Sequence, residues 1–194
     1  MHIYNILGIA VALAMDAFAV SIAAGIRLKK VSFRQTFRLS WHFGFFQAIM
    51  PVMGWLMGTK IHAWIKGYDH WVAFGLLAFC GGKMLMEAFE HDEEKTTLKK
   101  DPTKGATLIM LSVATSIDAF AVGFSISVLN VSIAYPAVVI GLIAAMFTII
   151  GLHAGKKVGM HSKISNYAES LGGVILLCIG INILYEHGSL TFLL

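Results

Sequence analysis

The chain has 194 residues, of which 57% are hydrophobic and 13% are charged. Soluble domains carry about 25% charged residues, so this composition excludes an ordinary soluble domain and a disordered chain alike. The net charge of +4 does not indicate nucleic-acid binding, because the basic residues lie in short runs between long apolar stretches. This pattern is typical of an all-α polytopic membrane protein surrounded by a lipid bilayer.

Six apolar segments follow one another along the chain, each near the length of about 20 residues that a helix needs to cross a bilayer. Lipid offers no hydrogen-bond partners to the backbone, so these segments are predicted to be six transmembrane helices. The segments cover residues 6–25, 39–58, 71–88, 106–127, 133–153 and 168–185.

The basic residues between these segments are unevenly distributed. Twelve of the fifteen Lys and Arg residues follow the first, third and fifth segments, whereas the opposite side has only Lys60 and Lys66. Cytoplasmic loops of membrane proteins carry the excess of Lys and Arg. The N- and C-termini are therefore predicted to lie outside.

A repeated motif divides the chain into two halves. The string Asp-Ala-Phe-Ala-Val occurs at 16–20 in the first segment and again at 118–122 in the fourth. Further matches pair Gly54 and Gly58 with Gly151 and Gly155. Cys80 and Gly82 match Cys178 and Gly180, in a register that could shift by one residue. We therefore expect a first three-span repeat over 1–89, a cytoplasmic linker over 90–105, and a second repeat over 106–194. Because three crossings are an odd number, the second repeat would be inverted, as in many transporters.

The repeated motif places one carboxylate in the middle of a span in each half, at Asp16 and Asp118. An ionised carboxylate at the bilayer centre costs about 2.5–3.5 kcal/mol, so it must face protein, water or an ion. Two carboxylates at one depth repel each other unless a proton or a cation lies between them. The pair favours a divalent cation, proton carriage, or both in alternation. The structural alternative is that each aspartate caps neighbouring backbone or pairs with Lys83.

Four other polar or polarizable side chains are candidates for the same site. Gln47 and Asn182 could supply neutral oxygens, or could simply form hydrogen bonds between helices. Met15 could add a thioether, although its neighbour Asp16 points about 100° away on a helix and packing is the ordinary role of methionine. Lys83 could neutralise an aspartate when the metal is absent, but its position near the end of the third segment favours snorkelling towards the cytoplasmic edge. Carboxylate and amide oxygens suit Mg²⁺, Ca²⁺ or Mn²⁺.

Four motifs resemble those of the bacterial manganese efflux pump family (MntP), which is related to the lysine-exporter superfamily. They are Ala-x-x-Met-Asp-Ala-Phe-Ala-Val-Ser at 12–21, His-Phe-Gly-x-Phe-Gln-Ala-x-Met-Pro at 42–51, Gly-Gly-Lys-Met at 81–84 and Ala-Thr-Ser-Ile-Asp-Ala-Phe-Ala-Val-Gly at 114–123. The resemblance implies a multi-pass exporter of Mn²⁺ in the bacterial inner membrane. It also implies that Asp16 and Asp118, which match the family's motifs, bind the metal.

The resulting hypothesis is a secondary transporter that exports Mn²⁺ by proton antiport, with Mn²⁺ as transported substrate and no cofactor. Export of a divalent cation from an inside-negative cell costs about 4.6 kcal/mol per 100 mV, so it needs a coupled ion or a steep metal gradient. The alternatives are an exporter of an amino acid or another small cation from the same superfamily, or an intramembrane enzyme.

Overall fold

The computed structural model describes residues 3–28, 31–65, 69–89, 101–158 and 164–186. All regular secondary structure in these ranges is α-helical, which confirms the predicted all-α class. The helices are α1 (Ile3–Leu28), α2 (Phe33–Ile65), α3 (Asp69–Phe89), α4 (Gly105–Ala114), α5 (Ile117–Val128), α6 (Ala134–Val158) and α7 (Ile164–Glu186). Most of the predicted linker lies outside the described residues.

The fourth predicted segment is not one continuous helix. Residues 106–127 fall in two helices, α4 and α5, which are separated by Thr115 and Ser116. Ser116 has φ −109° and ψ 1°, outside the helical region. The Thr115 hydroxyl donates to the carbonyl oxygen of Leu111 at 2.9 Å, so its side chain competes for a backbone acceptor of the helix. Two consecutive hydroxyl residues thus interrupt the helix just before Asp118.

Three helical stretches are long and apolar enough to cross a membrane, judged by length and composition: Ile3–Leu28, Gly105–Val128 and Ala134–Lys157. Shorter apolar stretches occupy Trp71–Met86 in α3 and Ser170–Ile183 in α7. The remaining predicted segment lies inside α2, which has 33 residues. These lengths are consistent with a membrane protein.

A stripe of apolar side chains faces outwards along α6. Val138, Leu142, Met146 and Ile150 recur every fourth residue on one face of the helix, and each is more than half exposed. A continuous apolar surface of this kind marks a contact with protein or membrane. Lipid chains would cover it without any polar partner.

The helix contacts follow the sequence repeat. α1 packs against α6 and α7, and α5 packs against α2 and α3. In addition, α2 contacts α6 and α3 contacts α7. If α1 is exchanged with α5, α2 with α6 and α3 with α7, the two contacts of α1 become the two contacts of α5, and the α2–α6 and α3–α7 contacts are unchanged.

Glycines set the closest helix approaches at equivalent places in the two halves. Gly54 of α2 lies against the backbone carbonyl of Phe120, and Gly151 of α6 lies against that of Phe18. Phe18 and Phe120 occupy the same position in the repeated pentapeptide. The absence of a side chain at these glycines lets the helix backbones touch.

The expected correspondence between Cys80 and Cys178 is wrong. Cys80 is buried, whereas Cys178 is exposed. The close approach of α3 and α7 instead joins Gly81 and Gly173, since a Cβ added to either would lie within 2.7 Å of the other's carbonyl oxygen. The glycine contact fixes the register of this helix pair, and the shared Cys-x-Gly spacing does not reflect equivalent positions.

Candidate cation site

Asp118 lies in the first turn of α5, and only 2% of the residue is exposed. The Lys83 ammonium group, on α3, donates to both carboxylate oxygens, with Nζ 3.1 Å from Oδ1 and 3.0 Å from Oδ2. A buried carboxylate requires such a counter-charge, and the start of a helix also favours negative charge. Of the two placements considered for Lys83, the structure shows contact with an aspartate and not snorkelling.

Asp16 lies on α1 and is 8% exposed. Cys80 of α3 lies three residues before Lys83. Cys80 Sγ is 3.9 Å from the backbone carbonyl oxygen of Asp118. Both predicted aspartates are therefore buried, Asp118 beside Cys80 and Lys83 of α3 and Asp16 within α1.

Gln47 of α2 links the two halves of the chain. Its Nε2 donates to the carbonyl oxygen of Leu13 at 3.4 Å and to that of Thr115 at 2.8 Å. Leu13 and Thr115 each lie three residues before the aspartate of their own half. The other amide atom, Gln47 Oε1, is buried and has no hydrogen-bond partner among the described residues. An amide oxygen thus lies beside the backbone of both motifs with its lone pairs available.

Two residues of this region carried no prediction as site residues. Cys80 entered the sequence analysis only as a repeat match, and its thiol contacts the backbone of Asp118. Ser116 belongs to the motif at 114–123 and was not predicted as a site residue. Its hydroxyl is buried and has no hydrogen-bond partner among the described residues. A Ser two positions before an intramembrane carboxylate is the signal that could have marked it.

Met15 and Asn182 are the remaining predicted ligands. Met15 is buried in the apolar core, where its Cβ would lie 3.1 Å from a Cβ added to Gly172 of α7. The same glycine meets the carbonyl oxygen of Ala12, so this part of α7 faces the middle of α1. Asn182 lies ten residues further along α7, about 15 Å along the helix axis. The roles of Met15 and Asn182 as metal ligands stay predictions.

The donors present suit a hard cation. Among the described residues, no group of three or more His, Cys, Asp and Glu side chains is placed to hold a metal ion. A cation bound near Asp118 would therefore need carboxylate oxygens supplemented by amide, hydroxyl or backbone oxygens. Such oxygen sets are preferred by Mg²⁺, Ca²⁺ and Mn²⁺ over softer metals.

These features define a class of protein. Among these long apolar helices the buried carboxylate of Asp118 pairs with the partly exposed ammonium group of Lys83. In membrane proteins, ionisable groups within apolar helices mark ion or substrate pathways. In its described residues the chain is all-helical and carries the long apolar helices of a membrane protein.

Comparison with known sequences gives the family. The family model described as "Mntp: Putative manganese efflux pump" matches residues 30–184. The chain is 55% identical over 188 residues to "Putative manganese efflux pump MntP" of Nitratidesulfovibrio vulgaris (strain DP4), a match that covers 97% of this chain and 93% of the relative. The proteins of that name from Syntrophotalea carbinolica and Desulfotalea psychrophila are 51% and 57% identical, over 96% and 94% of this chain and 98% and 94% of their own lengths.

The chain therefore belongs to the manganese efflux pump family, as its motifs indicated. The family name describes a transporter and not an enzyme. No solved structure matches the chain.

Proposed function

We propose that this protein exports Mn²⁺ from the bacterial cytoplasm across the inner membrane, with Asp16 and Asp118 binding the metal. The observation that carries the proposal is the burial of two carboxylates from equivalent motifs, with the Gln47 amide bonded to the backbone three residues before each of them. Relatives more than 50% identical carry the name of a manganese efflux pump. A divalent cation would offset the repulsion between the two carboxylates.

The architecture proposed for this activity has six spans, arranged as two inverted three-span repeats with both termini outside. The repeats would cover 1–89 and 106–194, joined by a cytoplasmic linker over 90–105. The symmetric exchange of helix contacts and the paired glycine–carbonyl approaches support this arrangement. In transporters built this way, substrate binds near the bilayer midplane between the repeats.

In the proposed site Gln47 Oε1 joins the two carboxylates as a neutral ligand. Lys83 is the counter-ion that holds Asp118 when no metal is bound, and Mn²⁺ displaces its ammonium group. This exchange avoids leaving an uncompensated charge in the protein at any stage, which would be costly at low dielectric.

Export against an inside-negative potential is proposed to be coupled to proton entry. Moving a divalent cation outwards costs about 4.6 kcal/mol per 100 mV, and protons returning down their gradient supply free energy of this order. The carboxylates would bind Mn²⁺ when open to the cytoplasm and release it when protonated from outside.

Purified protein in Mn²⁺-loaded proteoliposomes tests both parts of the proposal. We expect Mn²⁺ efflux to accelerate when a proton gradient is imposed that is directed into the proteoliposomes, opposite to the Mn²⁺ flux. Asp16→Asn and Asp118→Asn should abolish efflux while the proteins still insert into membranes. Efflux indifferent to the proton gradient would overturn the coupling, and efflux by the double variant would remove both aspartates from the site.

The Lys83–Asp118 pair also favours a second candidate, an exporter of amino acids. A zwitterion needs one cationic and one anionic group, and the pair provides both within 3.1 Å of each other. Competition distinguishes the two candidates. An excess of amino acids would inhibit transport if the protein exports amino acids, and would leave Mn²⁺ efflux unchanged if the protein exports Mn²⁺.

A further inference from the structure

We propose that the hydroxyl group of Ser116 is a ligand of the transported cation, supplied only by the second half of the chain. This inference rests on the proposed function and extends it to a residue outside the two aspartates. Ser116 directly precedes the first residue of α5 and is completely buried.

The Ser116 hydroxyl is not used in the way that is usual at a helix start. Serine in this position normally accepts a hydrogen bond from a backbone N–H in the first turn. Here the side chain makes no capping hydrogen bond, and Oγ has no partner among the described residues. A buried hydroxyl without a partner is unfavourable, and a cation bound by Ser116 Oγ would remove this cost.

The surroundings of Ser116 identify the chemistry of that ligand. Gln47 Oε1 is also buried without a partner among the described residues, and Gln47 Nε2 is bonded to the carbonyl of Thr115, the residue before Ser116. Asp118 follows two residues later, in the first turn of the same helix. The hydroxyl, amide and carboxylate oxygens of these neighbouring residues are the kinds of ligand that a hard divalent cation prefers.

The first half of the chain has no equivalent donor. Ala14 lies two residues before Asp16, where Ser116 lies two residues before Asp118. The hydroxyl would therefore draw the cation towards α5, with Asp16 approaching from the opposite side. The two halves would contribute unequally to one site.

Substitution at Ser116, with Ser127 as a matched control, tests this assignment. Ser127 lies within α5, nine residues after Asp118, and is also buried with an unpartnered hydroxyl among the described residues, but it packs against Gly58. Mn²⁺ transport would be measured in proteoliposomes for Ser116→Ala and Ser127→Ala. We expect Ser116→Ala to raise the Mn²⁺ concentration at half-maximal rate by about tenfold, the lower end of losses seen when a metal site is perturbed. Ser127→Ala should stay close to the original protein.

A second variant separates ligation from packing. Ser116→Cys replaces the hydroxyl by a thiol of similar shape, which favours soft cations. We expect the ratio of Cd²⁺ to Mn²⁺ transport to rise by about tenfold or more relative to the original protein, which already contains Cys80. A purely structural role for Ser116 would not change this ratio.

The result that overturns the assignment is unchanged half-saturation in Ser116→Ala together with an unchanged Cd²⁺ to Mn²⁺ ratio in Ser116→Cys. A loss of maximal rate with no change in either quantity also overturns it. Failure of the proposed function would look different, because the unsubstituted protein would then transport no Mn²⁺.

Discussion

The ammonium group of Lys83 and the carboxylate of Asp118 face each other across the contact of α3 with α5, with Nζ 3.0 Å from Oδ2. The Asp118 side chain is 3% exposed and that of Lys83 is 34% exposed, so the carboxylate depends on this partner more than the lysine does. A metal that binds Asp118 must compete with the ammonium group for the same two oxygens.

Replacing Lys83 by methionine should therefore have opposite effects on stability and on affinity. Without metal, the Lys83→Met protein should lose about 1–3 kcal/mol of unfolding free energy, because the buried Asp118 carboxylate loses its counter-charge. The loss is smaller than for a fully buried pair, since Lys83 is partly exposed to solvent. Its Mn²⁺ affinity should rise because the competing cation is gone. Thermal unfolding in detergent with and without Mn²⁺ measures both.

Lys83→Arg is the control, since it retains the positive charge. A Lys83→Met protein that equals Lys83→Arg in metal-free stability and in Mn²⁺ affinity would contradict the role given to the ammonium group.

Gln47→Leu should destabilise the junction of the two halves. The substitution removes both donors to the Leu13 and Thr115 carbonyls. With net values of about 0.5–1.5 kcal/mol per hydrogen bond, the expected loss is about 1–3 kcal/mol. Gln47→Glu should be no better, because an ionised carboxylate cannot donate to either carbonyl. Full stability of Gln47→Glu in thermal unfolding would show that the two bonds contribute little.

Gly54→Ala should prevent correct packing of α2 against α5. A methyl group at Gly54 would overlap the backbone carbonyl of Phe120, which cannot move without shifting the whole helix. Yield of monodisperse protein after membrane extraction measures the effect, which should approach complete loss.

Gly75→Ala is the matched control for that prediction, because nothing lies within 4 Å of a Cβ at Gly75 in α3. Alanine there should stabilise the protein by about 0.5–1 kcal/mol through its higher helix propensity. Equal yields of the two variants would refute the packing argument.

Asp101 should give the turn before α4 a pH-dependent stability. Its carboxylate is partly buried, which opposes ionisation, but hydrogen bonds from the Thr103 hydroxyl and backbone N–H, with the charge of Lys104, lower its pKa below the ordinary value of 3.8. A carboxylate with a lower pKa in the folded state stabilises that state above the unfolded pKa. The contribution is lost as the pH falls through the folded pKa.

Asp101→Asn keeps an acceptor oxygen and removes only the charge. It should lower unfolding free energy at pH 7 by about 0.5 kcal/mol, the extra strength of a hydrogen bond to a charged acceptor. The difference from the original protein should shrink below about pH 4. A difference that stays constant down to about pH 3 would rule out the carboxylate charge as its cause.

Much of the helical framework was predictable because apolar length and the requirement for backbone hydrogen bonds in lipid leave one solution. The burial of Asp16 and Asp118 followed from the same pattern, since both interrupt long apolar runs. These predictions depend on local sequence alone.

Side-chain pairings across helices were less accessible. The contact of Lys83 with Asp118 depends on the rotation of α3 about its own axis, and the register of α3 with α7 depends on Gly81 and Gly173. Neither quantity is fixed by hydropathy or by the spacing of cysteines. The helix interruption was hidden for another reason, since Thr115 and Ser116 leave the segment apolar enough to span.

The repeated pentapeptide is α-helical in both copies, but the backbone just before it differs. Asp-Ala-Phe-Ala-Val continues a helix at 16–20, and at 118–122 it follows an interruption. The two copies differ in the three residues before the aspartate, which are Leu13-Ala14-Met15 in the first and Thr115-Ser116-Ile117 in the second. We attribute the interruption to this difference. The same core motif is therefore compatible with a continuous helix or with a helix that begins just before it, depending on the adjacent triplet. Placing the 115–117 triplet before Asp16 should introduce the interruption into α1.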